Sequence, residues 1–364
     1  MRLYSHYSGQ LGLICLAVYF IMLIKGRSTY SGKISQEKNN YWFVFFWMAL
    51  YSILGFAEWD TYHYYWMYEN TKTSGYNVGF ERFFFWLIKT LPNSYLLWRT
   101  AIWGTASVLM ISAAKKLNLN STVLCFMVPI LFLTQLSVTR GAIGLALMIF
   151  CAILFAQSLE KKKIFLMVIA GLGIYASIFM HKSIILFIIL LIGAWFFPLN
   201  KKTIVISLIA FPFLYGAIFT LAESISFINE SDWMTDYMNR DKTEMNLNGL
   251  LVTIFRSAII ILLVYDIAKK YLNNNVGRSK AQLFMFKYAY VLLYVSFLFL
   301  GQTTSYWVSD RALHAASFPL VLCATHAFDT SIQNGGRTLI EKIIIIGFIF
   351  TTFWRQITFV RSFW

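Results

Sequence analysis

The sequence predicts an all-α integral membrane protein, a polytopic bundle of about twelve transmembrane helices (11–13), and three observations predict it. Of 364 residues, 59% are hydrophobic and only 13% charged, whereas a soluble domain carries about a quarter charged residues. The apolar runs are near-continuous, as in 203–222, 250–268 and 343–353, and many approach the ~20 residues that cross hydrocarbon. Lysines and arginines also collect in alternate connections, as insertion demands of cytoplasmic loops. There is no Pro-rich linker, low-complexity tract or repeat period, so residues 1–364 read as a single transmembrane domain.

The spans follow in order. The first, 8–25, ends on Lys25 and Arg27 where a cleavable signal has a small-residue site, so it is expected to stay as a helix. The second, 41–57, rises from a stretch holding Lys33 and Lys38. Next, 94–114 descends to Lys115 and Lys116, 121–139 returns, and 141–159 descends to Lys161, Lys162 and Lys163. Then 164–180 returns, 183–198 descends to Lys201 and Lys202, and 203–222 returns. Finally 249–268 descends to Lys269 and Lys270, 283–301 leaves Arg278 and Lys280, 312–328 descends towards Arg337, and 343–360 rises past Lys342. The basic side is read as cytoplasmic and both termini as outward. The net charge of +15 then reports topology, and nucleic-acid binding is not expected. Cys15, Cys125, Cys151 and Cys323 lie in apolar segments without metal-ligand spacing and read as core fillers.

The opposite connections hold most of the acid, and two of them, about 57–93 and 223–248, read as long outer loops. A merely connecting loop needs few residues, so a site is expected on the outer face. Residues Glu58 to Glu69 pack three carboxylates, His63 and six aromatics into twelve positions. That mixture suits a sugar: aromatic faces cover sugar rings, and a carboxylate or histidine near a hydroxyl serves as general base. Tyr64, Tyr65, Trp66 and Glu81 are the candidate sugar contacts, with Glu58 and Asp60 as candidate bases. The alternative is an interfacial aromatic belt with ordinary outer acids. Gly79 to Lys89 is amphipathic and too short to span, so it reads as a helix lying in the outer interface.

Arg99, Arg140, His181, Arg256, Arg311 and His314 fall at or inside outer helix ends. A charge at membrane depth costs about 2.5–3.5 kcal/mol on insertion scales, so each should face the bundle interior, pair, or meet a polar ligand. Arg140, Arg256 and Arg311 are the candidate diphosphate contacts, because planar guanidinium forks match phosphate oxygens bidentately. His181 joins them as a catalytic candidate; the bland alternative is structural pairing. No phosphate-cradling Gly-Lys loop, zinc-type spacing, serine-hydrolase elbow or EF-hand is present in the sequence, and no metal site or cofactor is expected.

Several of these residues stand in a recognisable order. Asp60, Tyr64 and Tyr68 resemble an Asp-Tyr-x-x-Tyr region, followed by a Glu-x-x-Phe element at Glu81 to Phe84. Thr139 to Ala142 with Leu145 and Ala146 is similar to an Arg-Gln-x-x-Ala helix start, with Gly141 in place of Gln. Phe179 to Ile184 resembles a His-x-Ser-x helix end, and Ser309-Asp310-Arg311 a late Ser-x-Arg. Together they resemble the EpsG-type branch of the Wzy-like bacterial polysaccharide polymerases over about residues 10–330.

That resemblance implies a GT-C-like fold and an enzyme of the bacterial inner membrane building O-antigen, capsule or exopolysaccharide. Such an enzyme transfers a growing glycan from undecaprenyl diphosphate to a fresh lipid-linked repeat unit at the periplasmic or outer face. The resemblance also implies a chain-length co-polymerase as partner, beside the bilayer itself. Rival readings are a lipid-linked oligosaccharide flippase, another lipid-dependent glycosyltransferase such as an O-antigen ligase, and a glycan acyltransferase.

Overall fold

The structure, a computed structural model, describes residues 41, 59–76, 81–91, 94–121, 123–124, 127–128, 139–224, 247–272, 279–299, 306–333, 339–348 and 350. The side chains of 59–63, 139–140, 218–224, 247–253, 306–308 and 310 are not among them. The expected span 8–25, nearly all of 41–57, most of 121–139, the end of 343–360 and nearly all of the loop 223–248 lie outside the described residues.

Among the described residues there are helices and no strand. They are α1 Trp59–Ser74, α2 Arg82–Thr90, α3 Tyr95–Lys116, α4 Thr139–Glu160, α5 Ile164–Met180, α6 Ile184–Phe196, α7 Lys201–Ser224, α8 Leu247–Leu272, α9 Lys280–Leu298 and α10 Tyr306–Gln333. A further helical segment covers 339–348. In hydrocarbon every backbone polar group must be satisfied within the chain, which leaves the helix as the element that apolar runs of this length can form. Three stretches, Tyr95–Lys116, Gly141–Glu160 and Lys280–Leu298, are long and apolar enough to cross a membrane, and α5 and α6 are shorter apolar helices.

Exposure supports the same reading. On α5 the exposed side chains include Phe165, Val168, Leu172, Tyr175 and Phe179, and on α6 they include Ile185, Ile189, Ile192 and Phe196. Their three-to-four-residue spacing makes continuous apolar stripes. Exposed apolar faces of this extent need an apolar surrounding, which in a protein this rich in such helices is lipid. The interior is built around α4, packed on α3, α5, α6, α9 and α10, and around α9, packed also on α10, α6 and α7. Small residues Ala312, Ala315, Ala316, Ala324 and Ala327 on α10 are fully buried there. They let helices approach without a hydrophobic driving force between them.

The stretch 57–93 departs from the expected long loop, because α1 and α2 occupy it. The reason is visible in burial: Tyr64, Met67, Tyr68 and Thr71 make one stripe at i, i+3, i+4 and i+7. Its polar surroundings hide that stripe from a hydropathy scan. On α2, within the predicted amphipathic stretch, Phe84 and Ile88 are the buried pair.

The lysine-bearing ends of the helices meet at one end of the bundle. Gln157 at the end of α4 donates to the carbonyl of Lys116 at the end of α3, 2.6 Å. Gln282, locked by a capping box with Ser279, donates to the carbonyl of Leu117. Asn120 donates to Asp329 of α10, 3.1 Å. α3 and α4 both stop sharply with a left-handed residue, Asn118 (φ 53°) and Lys162 (φ 52°), closing back-bonds of Leu119 to Ala114 and Lys163 to Ser158.

At that same end Lys270 of α8 bridges Asp266 (2.5 Å) and Glu341 (2.6 Å), with Glu341 fully buried. Removing the shared cation leaves two enclosed carboxylates facing each other. Lys270→Met is therefore expected to cost about 3 kcal/mol, read as a lowered thermal midpoint in detergent, and Glu341→Gln distinctly less. Equal midpoints for Lys270→Met and wild type would remove this cluster from the account of how segment 339–348 is held.

Candidate functional site

At the end opposite the Lys116 and Lys161–Lys163 turns, three residues distant in sequence converge. Glu81 stands at the N-cap of α2, His181 at the C-cap of α5, and Arg311 near the start of α10. The Nδ1 of His181 lies 2.5 Å from Oε1 of Glu81. Its Nε2 lies 3.2 Å from the Arg311 guanidinium. A guanidinium only donates, so Nε2 is the acceptor and Nδ1 carries the proton that Glu81 accepts. The result is a directed chain from Arg311 through His181 to Glu81. Glu81 and His181 side chains are only 12% and 11% exposed, so this chain sits in a mostly dry setting, where charge-assisted bonds are strong.

Helix length sets the depth. α5 begins beside the lysine turn Lys161–Lys163 and has 17 residues, which rise about 26 Å. The hydrocarbon layer is about 30 Å thick, so α5 by itself falls a little short of that span. α6 is shorter still, 13 residues. The close approach that seats His181 comes from Gly144 of α4. A Cβ there meets the Ser177 carbonyl at 3.1 Å and Met180 Cβ at 3.2 Å, besides the end of the Ile184 side chain.

Arg140 lies in the first turn of α4, one turn outward of Gly144, and its side chain is outside the described residues. Arg256 is half-buried on α8. The Tyr271 and His326 rings meet at 5.5 Å, and α8 and α10 run the same way with α9 reversing between them. Arg256 precedes Tyr271, and Arg311 precedes His326, by the same fifteen residues. Both guanidinium-bearing residues therefore stand at one level, about 22 Å from that contact.

The aromatic and acidic segment divides. Tyr64 (3% exposed) belongs to the core, Tyr65 is half-buried with its ring edge-on to Tyr95 at 5.3 Å, and Trp66 is 50% exposed. Asp60 is in the first turn of α1 with its side chain outside the described residues, and Glu58 lies outside them altogether. Sequence reading did not find the box beneath them. Tyr68, Tyr95 and Trp98 pack at 5.4–5.8 Å around the start of α3, Phe84 adds its ring to Trp98, and the fully buried Arg99 bonds the Tyr95 hydroxyl. The i, i+4 spacing of Tyr95 and Arg99 was the available signal. Burial pushes the Tyr68 phenol up from its ordinary value, with the Glu69 charge adding to the effect.

Fold and site together define a helical membrane protein with a mostly buried acid–imidazole–guanidinium chain at the end of the bundle opposite the Lys161–Lys163 turn. The chain belongs to the EpsG family, whose model matches residues 38–363. Membership makes it a membrane protein of polysaccharide biosynthesis with a glycosyltransferase-like, polymerising role. No curated protein and no solved structure matches it.

The glycine contact gives a direct check on how His181 is seated. Gly144→Leu is expected to force α5 away from α4 and lower the thermal midpoint in detergent. Gly171→Ala, where an added Cβ meets nothing within 4 Å, is expected to leave it unchanged within about 1 kcal/mol. Equal midpoints for the two variants would show that the close approach is dispensable.

Proposed function

We propose that the protein is a Wzy-type polymerase of the bacterial inner membrane. It transfers a growing glycan from undecaprenyl diphosphate to the lipid-linked repeat unit, at the periplasmic or outer face, in O-antigen, capsule or exopolysaccharide synthesis. The observation that carries this reading is the guanidinium of Arg311 bonded to the mostly buried His181–Glu81 pair, at the end of α5 far from the Lys161–Lys163 turn. A guanidinium so placed suits the diphosphate of a polyprenol-linked donor.

In the reaction the bond from the donor sugar's anomeric carbon to the diphosphate breaks, and a hydroxyl of the acceptor repeat unit forms the new glycosidic bond. The diphosphate leaves with the electron pair, and the hydroxyl proton passes to a base. Arg311, with Arg140 and Arg256, places positive charge where the leaving group gains negative charge, which is the largest lever available to such a site. Asp60 or Glu58, on the aromatic α1 side, takes the proton, and Trp66 offers an exposed face to a sugar ring. The donor's own bond supplies the energy, so no nucleotide is required. A chain-length co-polymerase is the expected partner.

A flippase needs a polar route into the lysine half. Below Arg311 the packed side chains of Phe318, Val321, Leu322 and Ala324 favour an enzyme. The experiment is a polysaccharide gel of the native host lacking the gene, rescued by wild type, Arg311→Ala, Arg311→Lys and His181→Ala. Wild type is expected to restore the ladder. Arg311→Ala is expected to leave glycan at a single repeat, a loss of at least about 100-fold, and lysine is expected not to rescue because it lacks the planar fork. Lipid-linked units trapped on the cytoplasmic side of the deletion strain would make the protein a flippase.

A further inference from the structure

Glu81 occupies a position where its side chain neglects the local task. N-caps are normally Ser, Thr, Asp or Asn, whose short side chains bond the first free N–H groups of the helix. Glu81 makes no such cap bond, although its backbone carbonyl accepts from Phe85 N–H at 3.0 Å. Its carboxylate is turned instead to a histidine one hundred residues later in the chain. A local rule broken at a buried charged residue marks a functional constraint more often than an accident.

We infer that Glu81 is a positioning residue for the diphosphate, acting through His181 and Arg311, and not a sugar contact. The inference rests on the polymerase reading for the identity of the lipid and deepens it. By accepting from Nδ1–H, Glu81 holds the imidazole in one tautomer and one ring orientation. That turns the Nε2 lone pair towards Arg311, whose guanidinium donates to it and is held in orientation there. His181 has its Nε2 lone pair committed to Arg311 in this state, so it serves as a relay and the proton acceptor for the sugar hydroxyl lies elsewhere. α2 is thereby tied to the anion site: the amphipathic helix of the outer interface carries the residue that aims the arginine.

The test separates this role from a sugar contact by using a ligand with no sugar. Purified full-length protein in lipid nanodiscs is titrated with farnesyl diphosphate, for wild type, Glu81→Ala, Glu81→Gln, His181→Ala and the Glu81→Ala/His181→Ala double variant. Glu81→Ala and His181→Ala are each expected to weaken binding about tenfold, and the double variant no more than either alone, because one interaction chain is broken in both. Glu81→Gln keeps a carbonyl acceptor for Nδ1–H and is expected to recover most of the affinity, which a merely misfolded Glu81→Ala does not predict. Losses that multiply to about 100-fold in the double variant, unchanged affinity in Glu81→Ala, or no binding by wild type would each overturn the inference. If these couplings hold while the deletion strain makes a normal polymer ladder, the relay stands and the polymerase reading falls.

Discussion

Hydrocarbon offers no hydrogen bonds, and every element of this protein answers to that constraint. The backbone closes its own bonds in helices, apolar side chains cover the outer faces of α5 and α6, and small residues of α10 let it approach its neighbours. Among the described residues, charged side chains meet in two places, one at each end of the bundle. At the lysine end they form bridges that fasten helix to helix, such as Lys270 between Asp266 and Glu341. At the far end the chain from Arg311 through His181 to Glu81 fastens three elements whose residues are widely separated in sequence.

The two ends use similar chemistry for different purposes. Lys270 is a point charge between two carboxylates, a closed arrangement with both acids deeply buried. Arg311 is a planar fork that donates to a neutral ring nitrogen, Nε2 of His181.

α1 and α2 show how a polar, aromatic stretch becomes structure. Their buried stripe, Tyr64, Met67, Tyr68 and Thr71 with Phe84 and Ile88, packs on the opening turns of α3 and encloses Arg99. This packing places Glu81 beside α5, whose C-cap is His181. The aromatic residues of this region therefore have two destinies: those on the stripe build the support, and Trp66 on the opposite side stays exposed.

Membrane class, helical architecture and, within a few residues, the limits of the helices expected at 94–114, 141–159, 164–180, 183–198, 203–222, 249–268 and 283–301 were legible from the chain, because hydropathy acts over contiguous residues; the last expected span in this range, 312–328, extends to 306–333. The amphipathic helix near 79–89 was legible for the same reason, while α1 was not, since four buried positions among polar neighbours give no contiguous signal. His181, Arg311 and Glu81 were each visible as ionisable residues in the wrong solvent, which marks them singly but says nothing about partners. Only the tertiary structure decided that Glu81 faces the histidine, that the histidine faces Arg311, and that Tyr64 is core. Those pairings depend on how closely α4 and α5 approach at Gly144 and on where α2 and α10 begin against the end of α5, distances that emerge from packing many segments at once.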